Sequence, residues 1–120
     1  MFLWASLEPE RLTARAQRSL LDPYNQRYVS VASLWEMQIK HSLGKLPLPG
    51  RVPELCASWM KPLAAELLPI DVRHLGKLYE LPPHHRDPFD RILIAQALSD
   101  GLEIVSADQS FQNYAAPLIW

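Results

Sequence analysis

The chain has little of what marks several specialised classes of protein. Its single cysteine, Cys56, cannot form an internal disulfide, which excludes a disulfide-stabilised fold and favours a reducing cytoplasm. No apolar run approaches the roughly 20 residues that a membrane-spanning helix needs, and the N-terminus lacks the basic start and cleavage site of a signal peptide. The net charge of −1 gives no basic footprint for a long nucleic-acid groove. We therefore expect a cytoplasmic globular protein that does not contact a membrane.

The composition is that of an ordinary globular domain. Of the 120 residues, 48% are hydrophobic and 21% are charged, which is enough apolar material for one core. We predict a single domain over 1–120. Predicted strands are at 28–31, 67–70 and 102–105, with an edge strand at 117–120; predicted helices are at 13–21, 33–43, 53–66, 72–79 and 88–100. Strands that alternate with helices predict an α/β fold with a parallel sheet.

The stretch His84–Phe111 is the most informative part of the chain. Asp87 is suited to cap a helix whose first residue is Pro88, and Gly101 is suited to end it. An apolar strand follows, with Asp108 just past its end, where open α/β sheets place their ligand crevice. This unit is expected to bring carboxylates to one edge of a sheet.

Three carboxylates, Glu36, Asp90 and Asp108, follow predicted strands or begin predicted helices. Each also has a structural explanation. Glu36 completes a Ser-x-x-Glu capping box with Ser33 and lies four residues before Lys40, which is a favourable helix pair. Asp90 suits the dipole of the first helical turn, and Asp108 could cap a short turn. One carboxylate alone is therefore weak evidence of a site.

The three carboxylates together indicate a metal site. Parallel strands end at a common edge, and converging carboxylates repel one another unless a cation lies between them. Mg²⁺ and Mn²⁺ bind through a few carboxylates and water, and such an ion can activate a water or hold a phosphate. Metal-assisted hydrolysis of a phosphodiester is the reaction class that this set favours.

Three runs of sequence resemble the PIN domain, specifically the VapC-type toxins of bacterial toxin–antitoxin pairs. They are SVASLWEMQIKHSLGKLPLPG, LPPHHRDPFDRILIAQAL and GLEIVSADQSFQNY. The resemblance implies a PIN-like parallel sheet flanked by helices and an endoribonuclease that uses Mg²⁺ or Mn²⁺. It also implies a small antitoxin partner, an RNA substrate and a homodimer.

The same resemblance assigns roles to particular residues. Glu36, Asp90 and Asp108 match the second, third and fourth acidic positions of the family and would be the catalytic metal ligands. Ser106 matches the hydroxyl before the last aspartate. Apart from the resemblance, Asp87 and Arg91 lie beside this acidic set in sequence and could support it, Arg91 by steering the phosphate backbone. Asp87 is first a helix cap, and Arg91 could equally be a solvated charge that balances its neighbours.

The N-terminus departs from the family pattern. Family members begin with a hydrophobic strand that ends in an aspartate, followed by a helix with a Leu-Trp pair. Leu3-Trp4 matches that pair, so we expect the chain to begin inside the first helix, without the central strand and its aspartate. Three explanations are open: a start that is assigned too late, a decayed gene, or another element in the place of the strand. We favour a start that is assigned too late or a shortened chain. Little nuclease activity is then expected, and the alternative function is a non-catalytic PIN-like protein that binds an antitoxin or a second copy.

Two further groups have competing interpretations. His84 and His85 could bind a transition metal, but adjacent histidines in a proline-rich loop favour solvated side chains. Trp35, Ile39 and Leu43 recur at helical spacing, which predicts a core or dimer stripe.

Overall fold

A computed structural model of the chain describes residues 2–4, 26–61, 64–82, 87–105 and 118–119. Its five strands are β1 (Phe2–Trp4), β2 (Arg27–Ser30), β3 (Glu66–Leu68), β4 (Glu103–Val105) and β5 (Leu118–Ile119). Its four helices are α1 (Val31–Ser42), α2 (Val52–Met60), α3 (Val72–Glu80) and α4 (Pro88–Asp100). The predicted helix at 13–21 lies outside the described residues.

The strands form one parallel sheet in the order β3-β2-β1-β4-β5. Parallel neighbours need crossover connections. Helices α1 and α2 connect β2 to β3, and helices α3 and α4 connect β3 to β4, as the alternating pattern predicts. The predicted α/β class with a parallel sheet flanked by helices is confirmed.

The central strand is not missing from the sheet, so that part of the prediction is wrong. Phe2–Trp4 forms β1, which pairs with β2 on one side and β4 on the other. Leu3 and Trp4 are therefore extended rather than helical. A short apolar run suits a buried strand and a buried helix equally. Here the backbone groups of β2 and β4 that face this run need hydrogen-bond partners, which favours the strand. No aspartate or glutamate precedes Glu8, so β1 itself carries no carboxylate.

Helix α4 is the centre of the core. Its residues from Ile92 to Ala97 are buried on every side, and they pack with Ile104 of β4 and Leu102. Asp87 caps the helix by accepting a hydrogen bond from Phe89 N at 2.9 Å, and Pro88 occupies the first turn. Gly101 ends it in the left-handed conformation, with φ of 67°. The predicted start and end of this helix are confirmed.

Helix α2 ends at Met60, so the predicted helix over 53–66 is too long, and Glu66 already belongs to β3. Pro62 follows two residues after the end of the helix, and a proline inside a helix breaks it. Helix α3 begins at residue 72 as predicted, and Asp71 caps it with a side chain that accepts a hydrogen bond from Arg73 N at 2.9 Å. None of the helices in the described ranges is long and apolar enough to cross a membrane.

Helix α1 begins two residues earlier than predicted, and its capping residue differs. Ser30, the last residue of β2, is the N-cap and accepts from Ala32 N at 3.1 Å. Ser33 lies inside the first turn and is buried, so the predicted Ser33–Glu36 capping box is wrong. A serine that directly ends a strand is better placed to cap than one three residues later, because the helix starts where the strand stops.

Helices α3 and α4 are joined by polar contacts. His74 is almost fully buried; its Nε2 lies 2.9 Å from Asp100 Oδ2, and its Nδ1 accepts from Asp71 N. Arg73 adds a 3.0 Å bond from Nη1 to Asp100 Oδ1. These bonds hold the start of α3 against the end of α4.

Candidate acidic site at the carboxyl edge of the sheet

The carboxyl ends of the strands meet where α1 begins and where α4 begins. Trp4 of β1 is level with Val29 and Val105, and Ser30 leads directly into α1. Because α4 runs into β4, its N-terminal turn lies at the edge where the parallel strands end. Glu36 is in the second turn of α1 and Asp90 in the first turn of α4, so both lie near this edge.

An aromatic contact joins these two turns. The rings of Trp35 and Phe89 meet edge to face, with centroids 5.1 Å apart and planes at 82°. Trp35 immediately precedes Glu36, and Phe89 immediately precedes Asp90. The contact therefore brings the neighbourhoods of two predicted metal ligands together across 54 residues of sequence, counted from 35 to 89.

The predicted stripe of Trp35, Ile39 and Leu43 is not part of the core. All three side chains are exposed, and Trp35 contacts Phe89 instead. The core interpretation is therefore wrong. The reason is that α1 buries the other side of its first turn, at Ala32, Ser33 and Leu34.

Glu36 lies in an environment that disfavours its charge. Burial raises the pKa of Glu36, the charge of Lys40 lowers this pKa, and the charge of Asp87 raises it again. Lys40 Nζ lies 4.0 Å from Glu36 Oε2, which confirms the predicted helix pair. The influence of Asp87 indicates that a second carboxylate lies near Glu36. Burial is the largest cause of the raised pKa of Glu36, and repulsion by Asp87 is the smaller part that a bound cation would relieve.

Replacing Glu36 with glutamine should stabilise the metal-free protein at neutral pH. The raised pKa means that the folded state binds a proton at Glu36 more tightly than the unfolded state does. The charged form therefore costs stability above the folded pKa, and this cost disappears as the pH falls toward the ordinary value of 4.5. We expect Glu36→Gln to raise Tm by about 1–3 °C at pH 7 and by less in acid. Glu54→Gln on the exposed side of α2 is the control; equal shifts for both variants would contradict the assignment.

Asp87, Asp90 and Arg91 occupy the first turn of α4. Asp87 has the predicted capping role, and Asp90 is half-buried beside the positive end of the helix dipole. Arg91 turns toward α3, where Nη2 donates to Leu78 O at 3.4 Å. Asp87 therefore caps α4 and also lies where its charge acts on Glu36, and Arg91 has a structural contact with α3.

One buried hydroxyl near Glu36 is unsatisfied. Ser33 Oγ, one turn before Glu36, is buried and has no hydrogen-bond partner. Buried polar atoms without partners are uncommon and favour a missing ligand or water as the partner. The sequence motif predicts Ser33 as a helix cap. The burial of Ser33 depends on how α1 packs, which the motif does not encode.

The set of predicted ligands is only partly within the described ranges. Asp108, Ser106, His84 and His85 lie outside them. Among the residues that the structure does describe, no three histidines, cysteines, aspartates or glutamates are grouped closely enough to hold a metal. The structure therefore brings the turns of Glu36 and Asp90 together, while the geometry of the complete set stays a prediction.

Comparison with known families decides the wider relationship. The family model for the PIN domain matches residues 2–117, nearly the whole chain. The chain belongs to the PIN-domain family. No curated protein matches the sequence.

Solved structures agree with the PIN fold. VapBC2 from Rickettsia felis, bound to a DNA fragment from its promoter, matches with a TM-score of 0.72 and 12% identity over 99% of this chain and 98% of that one. FitAcB from Neisseria gonorrhoeae matches with a TM-score of 0.67 and 19% identity over 100% and 97% of the two chains. FitAB bound to the IR36 DNA fragment matches at 0.66 and 18%, over 99% and 94%. These similarities agree with the predicted VapC-type PIN fold.

The donor chemistry of this PIN domain suits a hard divalent ion. Carboxylate and hydroxyl oxygens, such as those of Glu36, Asp90 and Ser33, are the ligands that Mg²⁺ and Mn²⁺ prefer. Histidine or cysteine ligands would favour a softer metal. None of the described histidines and cysteines lies in the turns that carry Glu36 and Asp90.

Proposed function

We propose that this chain is a single PIN-like domain, over 1–120, of a metal-dependent endoribonuclease toxin from a toxin–antitoxin pair. The observation that carries the proposal is the Trp35–Phe89 contact, which joins the turns bearing Glu36 and Asp90 at the carboxyl edge of a PIN-type sheet. The reaction is hydrolysis of RNA phosphodiester bonds.

The proposed roles follow the donor chemistry. Asp90 and Asp108 are the principal ligands of Mg²⁺ or Mn²⁺, and Glu36 is a further ligand or positions the attacking water. A bound ion supplies a polarised phosphate and an activated water. The protein's own part is to hold the three carboxylates at one edge, with Ser106, Asp87 and Arg91 in supporting positions.

The nuclease activity of this chain should be low. The family's first acidic residue has no counterpart before Glu8, since β1 is Phe2-Leu3-Trp4 and is followed by Ala5-Ser6-Leu7. A Mg²⁺ site uses few direct carboxylates, so the lack of one weakens both metal binding and the orientation of water.

Manganese titration of the chain tests this proposal. We expect Mn²⁺ binding in calorimetry or electron paramagnetic resonance, with an affinity that falls by about tenfold or more in Asp90→Asn. Weak cleavage of single-stranded RNA should disappear in the same variant. Glu54→Gln, an exposed carboxylate change on α2, is the matched control and should bind Mn²⁺ as the unsubstituted chain does. An unchanged Mn²⁺ affinity in Asp90→Asn would remove the metal-site proposal.

The proposed partners are a small cognate antitoxin, RNA and a second copy of the chain, in the cytoplasm. The antitoxin proposal is supported by the structural similarity of this chain to VapBC2, FitAcB and FitAB. The antitoxin would cover the acidic edge and so block access of RNA.

A non-catalytic, antitoxin-binding protein is the second candidate function, and one groove favours it. The groove lies between α1 and α2, encloses about 490 Å³ and is mostly apolar. Its lining includes Val31, Trp35 and Leu67, which are exposed. Because Trp35 adjoins Glu36, an apolar segment bound there would reach the acidic edge whether or not a metal is present. Antitoxin binding by a chain that shows no Mn²⁺ affinity would select this function over the first.

A further inference from the structure

A polar cavity lies between the second half of α1 and the start of α2, and we term it the Arg51 cavity. It encloses about 290 Å³. Its lining residues are Gln38, His41, Ser42, Arg51, Val52 and Pro53. None of these described lining residues carries a carboxylate. The lining therefore offers hydrogen-bond donors and a positive charge, with no negative charge to balance them.

Arg51 is the principal cation of this cavity. It is the N-cap residue of α2 but makes no side-chain cap, because a guanidinium has no acceptor for the N–H groups of the helix. Within the described ranges, its side chain makes no ion pair and no hydrogen bond. Its N–H donors form a planar fork that matches the oxygens of an anion, so this fork is available to a ligand.

Three further donors line the same cavity from α1. The side chains of Gln38, His41 and Ser42 are separated by three and four residues, so they lie on one face of the helix. An amide, an imidazole and a hydroxyl can each donate a hydrogen bond. None of these three side chains has a hydrogen-bond partner among the residues that the structure describes. Donors from two elements therefore border the same space.

The number and directions of these donors favour a phosphate group over a carboxylate. A carboxylate presents two oxygens in one plane, whereas a phosphate group presents at least three around a tetrahedral centre. The donors of α1 and the guanidinium of Arg51 belong to different elements, which suits a tetrahedral anion. Val52 and Pro53 are the first residues of α2, so the positive end of its helix dipole adds a smaller attraction.

We propose that the Arg51 cavity binds the phosphate group of a nucleotide or of an RNA strand. Arg51 is the principal ligand of the phosphate, and Gln38, His41 and Ser42 are further donors. The proposal goes beyond the proposed ribonuclease function, because this binding requires no metal ion and none of the acidic residues at the edge of the sheet.

The Arg51 cavity lies on a different side of α1 from Glu36. Successive helical residues are rotated by about 100°, so Gln38 and His41 lie about 200° and 140° around the helix axis from Glu36. Glu36 pairs with Lys40 instead. The nearest carboxylate of α2, Glu54, is exposed and does not line the cavity. A bound phosphate would therefore meet little repulsion from either carboxylate.

Titration of the metal-free chain with inorganic phosphate, measured by isothermal calorimetry, tests the proposal. We expect saturable binding. Arg51→Gln should raise the Kd for phosphate by about tenfold or more, because the substitution removes the charge and the forked donors. Lys61→Gln removes the same charge at the other end of α2, where the side chain is also exposed. It is the matched control and should leave the Kd unchanged.

A carboxylate placed in the cavity provides an independent test. Gln38→Glu keeps the size of the side chain and should raise the Kd for phosphate several-fold, because like charges repel. Gln26→Glu makes the same change of charge just before β2 and should have no effect, since a glutamate still accepts from Tyr28. Arg51 and Gln38 are both exposed, so neither substitution should change Tm measurably.

Two further titrations identify the source of the phosphate group. A nucleoside 5′-monophosphate that binds more tightly than inorganic phosphate, and loses affinity in Arg51→Gln, would support a nucleotide ligand. Metal-free binding of single-stranded RNA, with a salt dependence that falls by about one phosphate contact in Arg51→Gln, would support an RNA strand.

Three results would overturn the proposal. The first is a phosphate titration that does not saturate. The second is equal weakening in Arg51→Gln and Lys61→Gln, which would show an effect of net charge rather than of a site. The third is acetate that binds as tightly as phosphate, because a carboxylate would then be the better match for the cavity. None of these measurements includes Mn²⁺, so this proposal and the metal site tested by Asp90→Asn can fail independently.

Discussion

An aspartate placed directly after β1, as Ala5→Asp, is expected to raise Mn²⁺-dependent RNA cleavage by this chain by about tenfold to a hundredfold. The affinity for Mn²⁺ should rise with it. The physical reason is the position of β1 in the sheet. Trp4 pairs with both Val29 and Val105, so the chain leaves β1 between the ends of β2 and β4. The ends of β2 and β4 lead to Glu36 and Asp108, which are two of the proposed ligands.

Ala5→Asn is the control for this experiment, because asparagine has the size of aspartate without its charge. It should leave both Mn²⁺ affinity and cleavage near those of the unsubstituted chain. If Ala5→Asp and Ala5→Asn behave alike, the residue after β1 does not reach the metal. If Ala5→Asp improves Mn²⁺ binding without cleavage, the ion binds but does not activate water, and the endoribonuclease proposal is then reduced to metal binding.

Replacing Gln96 with alanine should destabilise the fold by about 3 kcal/mol and lower Tm by about 10 °C. Gln96 is fully buried in α4. Its Oε1 accepts from Ser30 Oγ at 2.6 Å, and its Nε2 donates to Pro69 O at 3.2 Å. Truncation leaves a cavity in the core as well as an unpaired hydroxyl and carbonyl, and each adds to the cost.

Thermal unfolding with two comparison variants separates these contributions. Gln38→Ala on the exposed side of α1 should change stability by less than about 0.5 kcal/mol. Gln96→Leu keeps most of the volume and isolates the loss of hydrogen bonds, so its effect should fall between the two. In a double-mutant cycle, Ser30→Ala and Gln96→Leu should be less than additive because they remove the same bond. Additive effects would show that the Ser30–Gln96 bond contributes nothing.

The Gln96 contacts also bear on the site. Ser30 ends β2 and caps α1, Pro69 follows β3, and α4 carries Asp90 in its first turn. One buried amide therefore fixes the start of α1 and the end of β3 against α4. The aromatic contact of Trp35 with Phe89 then sets the separation of the two acidic turns. The sequence predicts neither the Gln96 hydrogen bonds nor the Trp35–Phe89 contact. Its one indication is a polar glutamine within the apolar run LIAQAL.

Features that depend only on neighbouring residues could be predicted without a structure. Asp87-Pro88 and Gly101 determined the ends of α4, and Asp71 determined the start of α3, because capping needs only residues within one helical turn. The alternation of strands and helices determined the parallel α/β class. The acidic residues at the element junctions and the runs around them were enough to identify the PIN family.

The other features depend on the complete fold. It placed Phe2–Trp4 as the central strand, since a three-residue apolar run has no periodicity of its own and takes the conformation that its two neighbours satisfy. It moved the cap of α1 from Ser33 to Ser30 and turned the apolar side of α3 outward, because the His74–Asp100 contact orients that helix from a residue 26 positions away. Contacts between residues far apart in sequence determine these conformations and orientations. Local sequence patterns cannot predict such contacts.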